Sequence, residues 1–448
     1  MAQVWIVSMI TNIKIDNFKS LKGVDIALGP VNFFVGPNAS GKSNFVEALD
    51  FLAHALREDL PFAVTEKGGF FNICHRRQRR ARGAIAFDVS SRQRRGDTSC
   101  NLNLSFQLRT TGEDIRADYF IASETINAVL EPAPGKLAPT LHAEIKRLEA
   151  GTSNEKYQIV VYQTGLEEEK PTGLQMQFTR GIGFLKDITS KRFKPRRQSL
   201  LFAGFLKGFY AMDWMTQDIE GLRVFQLNPR VARQPSAPSV HGELGRRGEN
   251  LAAAIDQMRL KDPRNFKLLS AWLKDVVPSL SRLLTDYTDT RQLGLFFEEE
   301  GFAARWFAED VSDGTIMSVA LFLGLLDKRH RVVVFEEPET SLHPWILNRF
   351  LERCREQAKN RQVIITTHSP LAIARAAPEE LYLTDRRDGI TSFKKALDVE
   401  TELPQIIRKD LIDLGEYWLS GGLGAVPEVP DVEQIDLFGK SANPPPGK

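Results

Sequence analysis

Eight consecutive residues, Gly36-Pro37-Asn38-Ala39-Ser40-Gly41-Lys42-Ser43, fit the spacing G-x-x-x-x-G-K-[ST] at every position. The spacing has a chemical reason. Glycines let the backbone curl until successive N–H groups point at phosphate oxygens. A helix that follows brings its positive end to the same anion. Lys42 then reaches the β- and γ-phosphates, and the Ser43 hydroxyl ligates Mg²⁺.

A second set lies toward the other end of the chain. Val332-Val333-Val334-Phe335 is wholly apolar and runs into Glu336-Glu337. Two carboxylates at the end of a buried strand are costly unless a cation or a polar site receives them. A Mg²⁺–nucleotide site needs one acid for the metal and a second to orient or deprotonate the attacking water. Glu336 takes the first role and Glu337 the second. His368, in Thr366-Thr367-His368-Ser369-Pro370, ends the next apolar stretch. A lone histidine is usually a capped or core residue. Here both strands can open on one sheet edge, and His368 can then hydrogen-bond a γ-phosphate. Ser312-Asp313-Gly314-Thr315 offers N–H donors at a helix start, although alone it is only a good N-cap.

The elements that must position these residues are legible in outline. Ile13–Ile15, Val24–Leu28 and Val31–Val35 read as strands, and Ser43–Leu56 has the spacing of an amphipathic helix. Ala84–Val89, Leu102–Leu108 and Ala117–Ala122 suggest an antiparallel meander, and Tyr157–Gln163 a further strand. Residues 196–282 read as mostly helical, most clearly at Asn250–Lys261 and Asn265–Val277. A hairpin at Leu293–Phe297 and Phe302–Phe307 leads to a helix at Thr315–Leu326. Val332–Phe335 and Gln362–Thr366 look like parallel-sheet strands, with a helix at Trp345–Ala358. From Gly421 the chain is Gly/Pro-rich and is expected to be disordered.

Composition narrows the class. The 448 residues are 42% hydrophobic and 26% charged, which supports a sizeable core and excludes wholesale disorder. Net charge is +2, so nothing global demands a nucleic-acid or membrane partner. Locally, Arg76–Arg82 and Lys191–Arg197 are dense in positive charge and are candidate contacts for DNA or RNA phosphates; the bland alternative is a solvated face. Cys74, Cys100 and Cys354 are scattered and form no CxxC pair, which speaks against a disulfide framework or zinc ribbon. No apolar stretch has the length of a spanning helix. Met1–Ile10 has no basic segment or small-residue cleavage site. No membrane partner and a cytoplasmic location are expected.

Taken together, the residues resemble the ABC-type ATPase heads of the RecF/SMC/OLD-like group of AAA-family ATP-binding proteins. The resemblance rests on Asn17-Phe18-Lys19-Ser20-Leu21, on the P-loop and on Glu336-Glu337-Pro338-Glu339-Thr340-Ser341-Leu342-His343-Pro344. Ser312–Thr315 and Thr367–Ser369 add to it. It implies an α/β fold: a two-lobed ABC-type P-loop ATPase head with a mixed sheet and a helical insertion. The lobes would be 10–195 and 283–420, the insertion 196–282 and the tail 421–448. ATP and Mg²⁺ would be the cofactors. Gly36 through Ser43, with Ser312 and Gly314, would bind ATP. Ser43 and Glu336 would hold the metal, and Glu337 and His368 would be catalytic, His368 as the switch histidine. Ser312 and Gly314 would form a signature that contacts ATP held by a second subunit, and Ser341–His343 a loop crossing that interface. Glu336 departs from the family's usual Asp. Gln78 is a candidate for the glutamine loop.

The implied function is an Mg²⁺-dependent ATPase whose nucleotide-gated dimerisation, or higher homo-oligomer, controls a partner. That partner would be a separately encoded effector nuclease, in DNA maintenance or anti-phage defence. The alternative is a RecF-like DNA clamp that uses slow hydrolysis as a timer. A nuclease in its own right fits poorly, because Asp385 and Asp388 are spaced DxxD rather than DxD. The large insertion and the Ser-Asp-Gly-Thr signature also fit a transporter subunit poorly.

Overall fold

The computed structural model describes residues 9–77, 80–81, 83–95, 98–112, 118–131, 140–148, 156–164, 216–239, 242–409 and 412–424. At its centre is a six-stranded sheet. The strand order is Leu222–Phe225, Val332–Glu336, Gln362–Thr367, Val31–Val35, Leu381–Arg387 and Ile390–Lys395. The first five run parallel and the last turns back antiparallel. The three middle strands are buried at every residue. Both of their faces are covered, which is why they read as near-continuous apolar stretches.

Register brings the loops together. Glu336 pairs with Thr366, and Thr367 pairs with Val35. The loops that begin at Gly36, Glu337 and His368 therefore leave neighbouring strands at the same edge. The strand order also changes direction beside Val31–Val35, and open α/β sheets bind their ligands at such a point.

Alternation along the strands splits the core into two. Phe34, Val224, Val332, Val334, Ile364 and Tyr382 pack with the P-loop helix Lys42–Arg57. Phe33, Val35, Phe225, Val333, Phe335 and Ile365 pack with the helices Leu251–Lys261, Pro263–Val276, Asp313–Leu326 and Pro344–Gln357. Successive strand side chains point to opposite faces. The P-loop helix and the helix that starts after Ser312 consequently lie on opposite faces of one sheet.

The P-loop helix is covered on its far side by a seven-stranded antiparallel sheet. This runs Lys156–Thr164, Thr140–Leu148, Tyr119–Glu131, Thr98–Thr110, Ile85–Arg95, Met9–Asp16 and Val24–Ala27. Phe51 of the helix lies 5.5 Å from Phe18 and 5.6 Å from Phe87 between ring centres. Each fully buried phenylalanine contributes about 1.5–3 kcal/mol. Gln362 ties the two sheets together: its Nε2 donates to Ile10 O and Gly29 O, each at 2.8 Å, and its Oε1 accepts from Ile10 N at 3.1 Å.

The expected meander is present, with longer strands than the pattern suggests and with Thr140–Leu148 as an unanticipated member. Among the described residues of 196–282, helices predominate as expected, and two strands interrupt them. Leu222–Phe225 is an edge strand of the central sheet, and Leu280–Tyr287 joins Leu293–Glu299 and Arg305–Phe307 in a three-stranded sheet. The helices at Leu251–Lys261 and Pro263–Val276 form as expected; the second is capped by Asp262, which accepts from Asn265 N. Lys191–Arg197, Gln78 and the tail from 425 lie outside the described residues. Of Arg76–Arg82, only the backbone of Arg76–Arg77 and Arg80–Ala81, a short antiparallel pair, is described.

Candidate active site

The glycine loop is shaped by close approach. A Cβ at Gly36 would stand 2.1 Å from Thr384 O, and one at Gly41 1.9 Å from Thr391 Oγ1. Gly41 also has φ +106°, a conformation that L side chains rarely adopt. Gly41 caps the helix with no side-chain hydrogen bond, and the first turn carries no acid. The helix thus presents free N–H groups and an uncompensated positive end. Ser40 Oγ is buried with no hydrogen-bond partner. Asn38, Ala39 and Ser43 are exposed, and Pro37 is half-buried.

Lys42 is buried, and its Nζ donates to Gly36 O at 2.7 Å and Pro37 O at 3.0 Å. Burial lowers its pKa from the ordinary lysine value, while the charges of Glu337, Glu339 and Glu336 oppose the fall. The charges of all three acids therefore reach the P-loop lysine within one chain.

Glu336 ends its strand buried, and its Oε2 has no hydrogen-bond donor. Glu337 follows with φ +48°, strain of order 1–3 kcal/mol for a residue with a Cβ. Its N–H donates to Thr366 O at 2.9 Å, which pins the turn that leads its carboxylate out of the sheet. His368 Nδ1 stands 3.5 Å from Glu337 Oε1 and 3.6 Å from Glu339 Oε1. Sequence reasoning gave Glu339 no role. It accepts from Thr367 Oγ1 at 2.6 Å and from His368 N at 3.1 Å, and so fixes the histidine loop. Its place in the Glu336–Pro344 box was the available signal.

Ser312 caps the helix Asp313–Leu326 by accepting from Thr315 N at 3.2 Å. Arg233 braces the same start through Asp313 Oδ1 and through Glu309 O at 3.1 Å. A Cβ at Gly314 would lie 3.2 Å from Ser341 O, so the signature and the Ser341 loop abut. Ser312, Ser341 and His343 are exposed.

The donor set fits a Mg²⁺–triphosphate. An orphaned buried carboxylate oxygen, an orphaned hydroxyl and a free helix N-terminus each lack what such a ligand supplies, and they converge with a buried lysine held by its own loop carbonyls. Asp50, His54 and Glu66 are also clustered at ligand spacing, but Lys67 Nζ already stands 2.6 Å from Asp50 Oδ2. That ammonium supplies the cluster's cation.

Two family models match the chain: an AAA ATPase domain over residues 9–116, and an AAA domain described as "putative AbiEii toxin, Type IV TA system" over 205–374. The chain is similar to the OLD nuclease of Thermus scotoductus, at 23% identity over 81% of this chain and 59% of the relative. It is also similar to the DNA replication and repair protein RecF of Corynebacterium jeikeium, at 44% identity over 10% of this chain and 11% of the relative. The chain thus spans less than two thirds of each relative's length. Among solved structures, an SMC head bound to the C-winged helix domain of ScpA matches with a TM-score of 0.47 and 13% identity. That match covers 86% of this chain and 97% of the other. The SMC head domain from Thermotoga maritima matches at 0.37 and 14%, over 86% and 98%.

The fold and the site define an ABC-type AAA-family ATPase. Within that class the chain is similar to the OLD and RecF relatives.

Proposed function

We propose that the protein binds and hydrolyses ATP with Mg²⁺, and that nucleotide-gated pairing of two copies controls a partner. The observation that carries the reading is the convergence of the Gly36–Ser43 loop, Glu336-Glu337 and His368 at the ends of adjacent parallel strands. When bound, Mg²⁺–ATP supplies the scissile phosphoanhydride and shields its charge. Lys42 binds the β/γ-phosphates, and the loop N–H groups orient them. Ser43 and Glu336 would hold the metal. The Glu337 carboxylate accepts a proton from the attacking water, and His368 donates a hydrogen bond to the γ-phosphate.

Pairing is supported by the placement of the signature. Ser312 and Gly314 start a helix on the sheet face opposite the P-loop helix, and Ser312 is exposed. In this reading they close on ATP held by a second copy. The lobes in this reading are 10–195 and 283–420, and the 196–282 stretch between them lends Leu222–Phe225 to the central sheet. On the same reading the protein acts in the cytoplasm, in DNA maintenance or defence beside a separately encoded effector nuclease; the similarity to a DNA replication and repair protein supports the DNA part of it.

The test is Glu337→Gln, alone and with Ser312→Arg. The single variant keeps Lys42, Ser43 and Glu336, so it should hold ATP and lose hydrolysis by ~10²-fold or more. Light scattering should show an ATP-dependent dimer, which the added arginine abolishes. Normal hydrolysis by Glu337→Gln would end its catalytic assignment. Trapped ATP with no response to Ser312→Arg would end pairing through the signature.

A further inference from the structure

Arg246 stands where the metal carboxylate meets the P-loop helix. Its Nη1 donates to Asp50 Oδ2 at 3.1 Å, and its Nη2 lies 3.7 Å from Glu336 Oε2. The loop that carries it is built for this. Arg246 O accepts from Gln226 N at 2.9 Å, and Arg247 O accepts from Asn228 N at 3.1 Å. Asn250 closes the loop, accepting from Gly245 N at 2.7 Å and donating to Glu243 O at 2.6 Å. Gln226 directly follows Leu222–Phe225, which pairs with Val332–Phe335 in register. The sheet itself therefore sets Arg246 beside Glu336.

The contacts are incomplete on both sides. Asp50 does not depend on Arg246, since Lys67 Nζ is 2.6 Å from the same oxygen. Glu336 is not satisfied by it either, because 3.7 Å is too long for a hydrogen bond. Glu336 Oε2 is buried without a donor, and Arg246 Nε is buried without an acceptor. A buried orphan of each kind, side by side, is costly, and it persists where a further group completes the site.

We infer that Arg246 is a positioning residue for the metal carboxylate. It counters the charge of Glu336 while no divalent cation is bound, and Asp50 tethers it so that it yields when one arrives. This rests on the ATPase reading above. The guanidinium and the metal compete for one carboxylate, because each stabilises the same negative charge. Removing the guanidinium should therefore strengthen metal binding. Cutting its tether should weaken metal binding, since Arg246 can then close on Glu336.

The experiment titrates Mn²⁺ into the ATP-bound full chain and follows free Mn²⁺ by electron paramagnetic resonance. Affinity for a fluorescent ATP analogue is measured in parallel without metal. Arg246→Gln should lower the Mn²⁺ midpoint by about 3–10-fold, the size expected for loss of one nearby, partly exposed charge. Asp50→Asn should raise the midpoint, and Arg246→Lys should keep it near that of the parent. Metal-free nucleotide affinity should stay within about twofold in the Arg246 variants, because Lys42 and the glycine loop are untouched. An unchanged midpoint in Arg246→Gln overturns the inference, as does a shift of the same sign in Arg246→Gln and Asp50→Asn. If Asp50→Asn does not fold, the Gln and Lys variants at Arg246 decide alone. Failure of the parent protein to bind ATP and Mn²⁺ would instead remove the ATPase reading itself.

Discussion

Lys42 shows what a single residue does here. It is buried among its own loop carbonyls and feels the charge of three acids, so Lys42→Ala removes the cation that the proposed site sets against the phosphates. Nucleotide binding, read by equilibrium dialysis, should fall below detection; unchanged affinity would end the P-loop assignment. Asp218 has a different character. It is 1% exposed, its Oδ2 has no partner, and burial pushes its carboxyl up to about 7 despite the favourable charge of Arg331. A carboxyl whose folded pKa is raised costs nothing below its unfolded value of 3.8; the cost appears as pH rises and levels off above about 7. Asp218→Asn should therefore be the more stable protein at pH 8, by about 2–4 kcal/mol, with the advantage shrinking toward pH 4. Denaturant melts at both pH values measure this, and a pH-independent difference would contradict it.

At the scale of elements, the P-loop depends on an edge strand far away in sequence. Thr391, in Ile390–Lys395, donates from Oγ1 to Ser40 O at 3.1 Å. It also meets Ser20 Oγ at 2.7 Å, and Ser20 Oγ accepts from Asn44 Nδ2 at 2.6 Å. One hydroxyl thus links the Phe18–Leu21 turn, the glycine loop and the P-loop helix. Thr391→Val keeps the shape and removes the link. It should weaken ATP binding several-fold and cost about 1–3 kcal/mol of stability, because buried partners are left unpaired. Thr391→Ser should restore both, and calorimetry with each variant separates the outcomes. No sequence pattern announces this residue. The P-loop is legible because phosphate chemistry demands contiguous residues, whereas Thr391, Glu339 and Arg246 act through partners that only folding brings near. Glu336, Glu337 and His368 were legible as strand ends, since apolar stretches mark buried parallel strands. Leu222–Phe225 was missed because four residues between helical patterns carry too little periodicity.

At the scale of the molecule, the two core clusters place the P-loop helix and the signature helix on opposite sheet faces. A two-copy site then has a symmetry consequence. Lys42→Ala and Ser312→Arg should each be inactive alone, yet an equal mixture should regain about a quarter of the parent's ATPase activity, since half the dimers hold one intact composite site. A mixture as inactive as its components would exclude the pairing. The central sheet has another consequence, one for synthesis. Val31–Val35 takes its two neighbours from Gln362–Thr367 and Leu381–Arg387, near the far end of the chain. At about 5–20 residues per second, the ribosome exposes the P-loop strand many seconds before either partner exists. Through that interval Phe33, Phe34 and Val35 have no sheet to enter. The nascent chain is then most exposed to aggregation, and to chaperones that bind apolar segments, at the very strand that later presents ATP's loop.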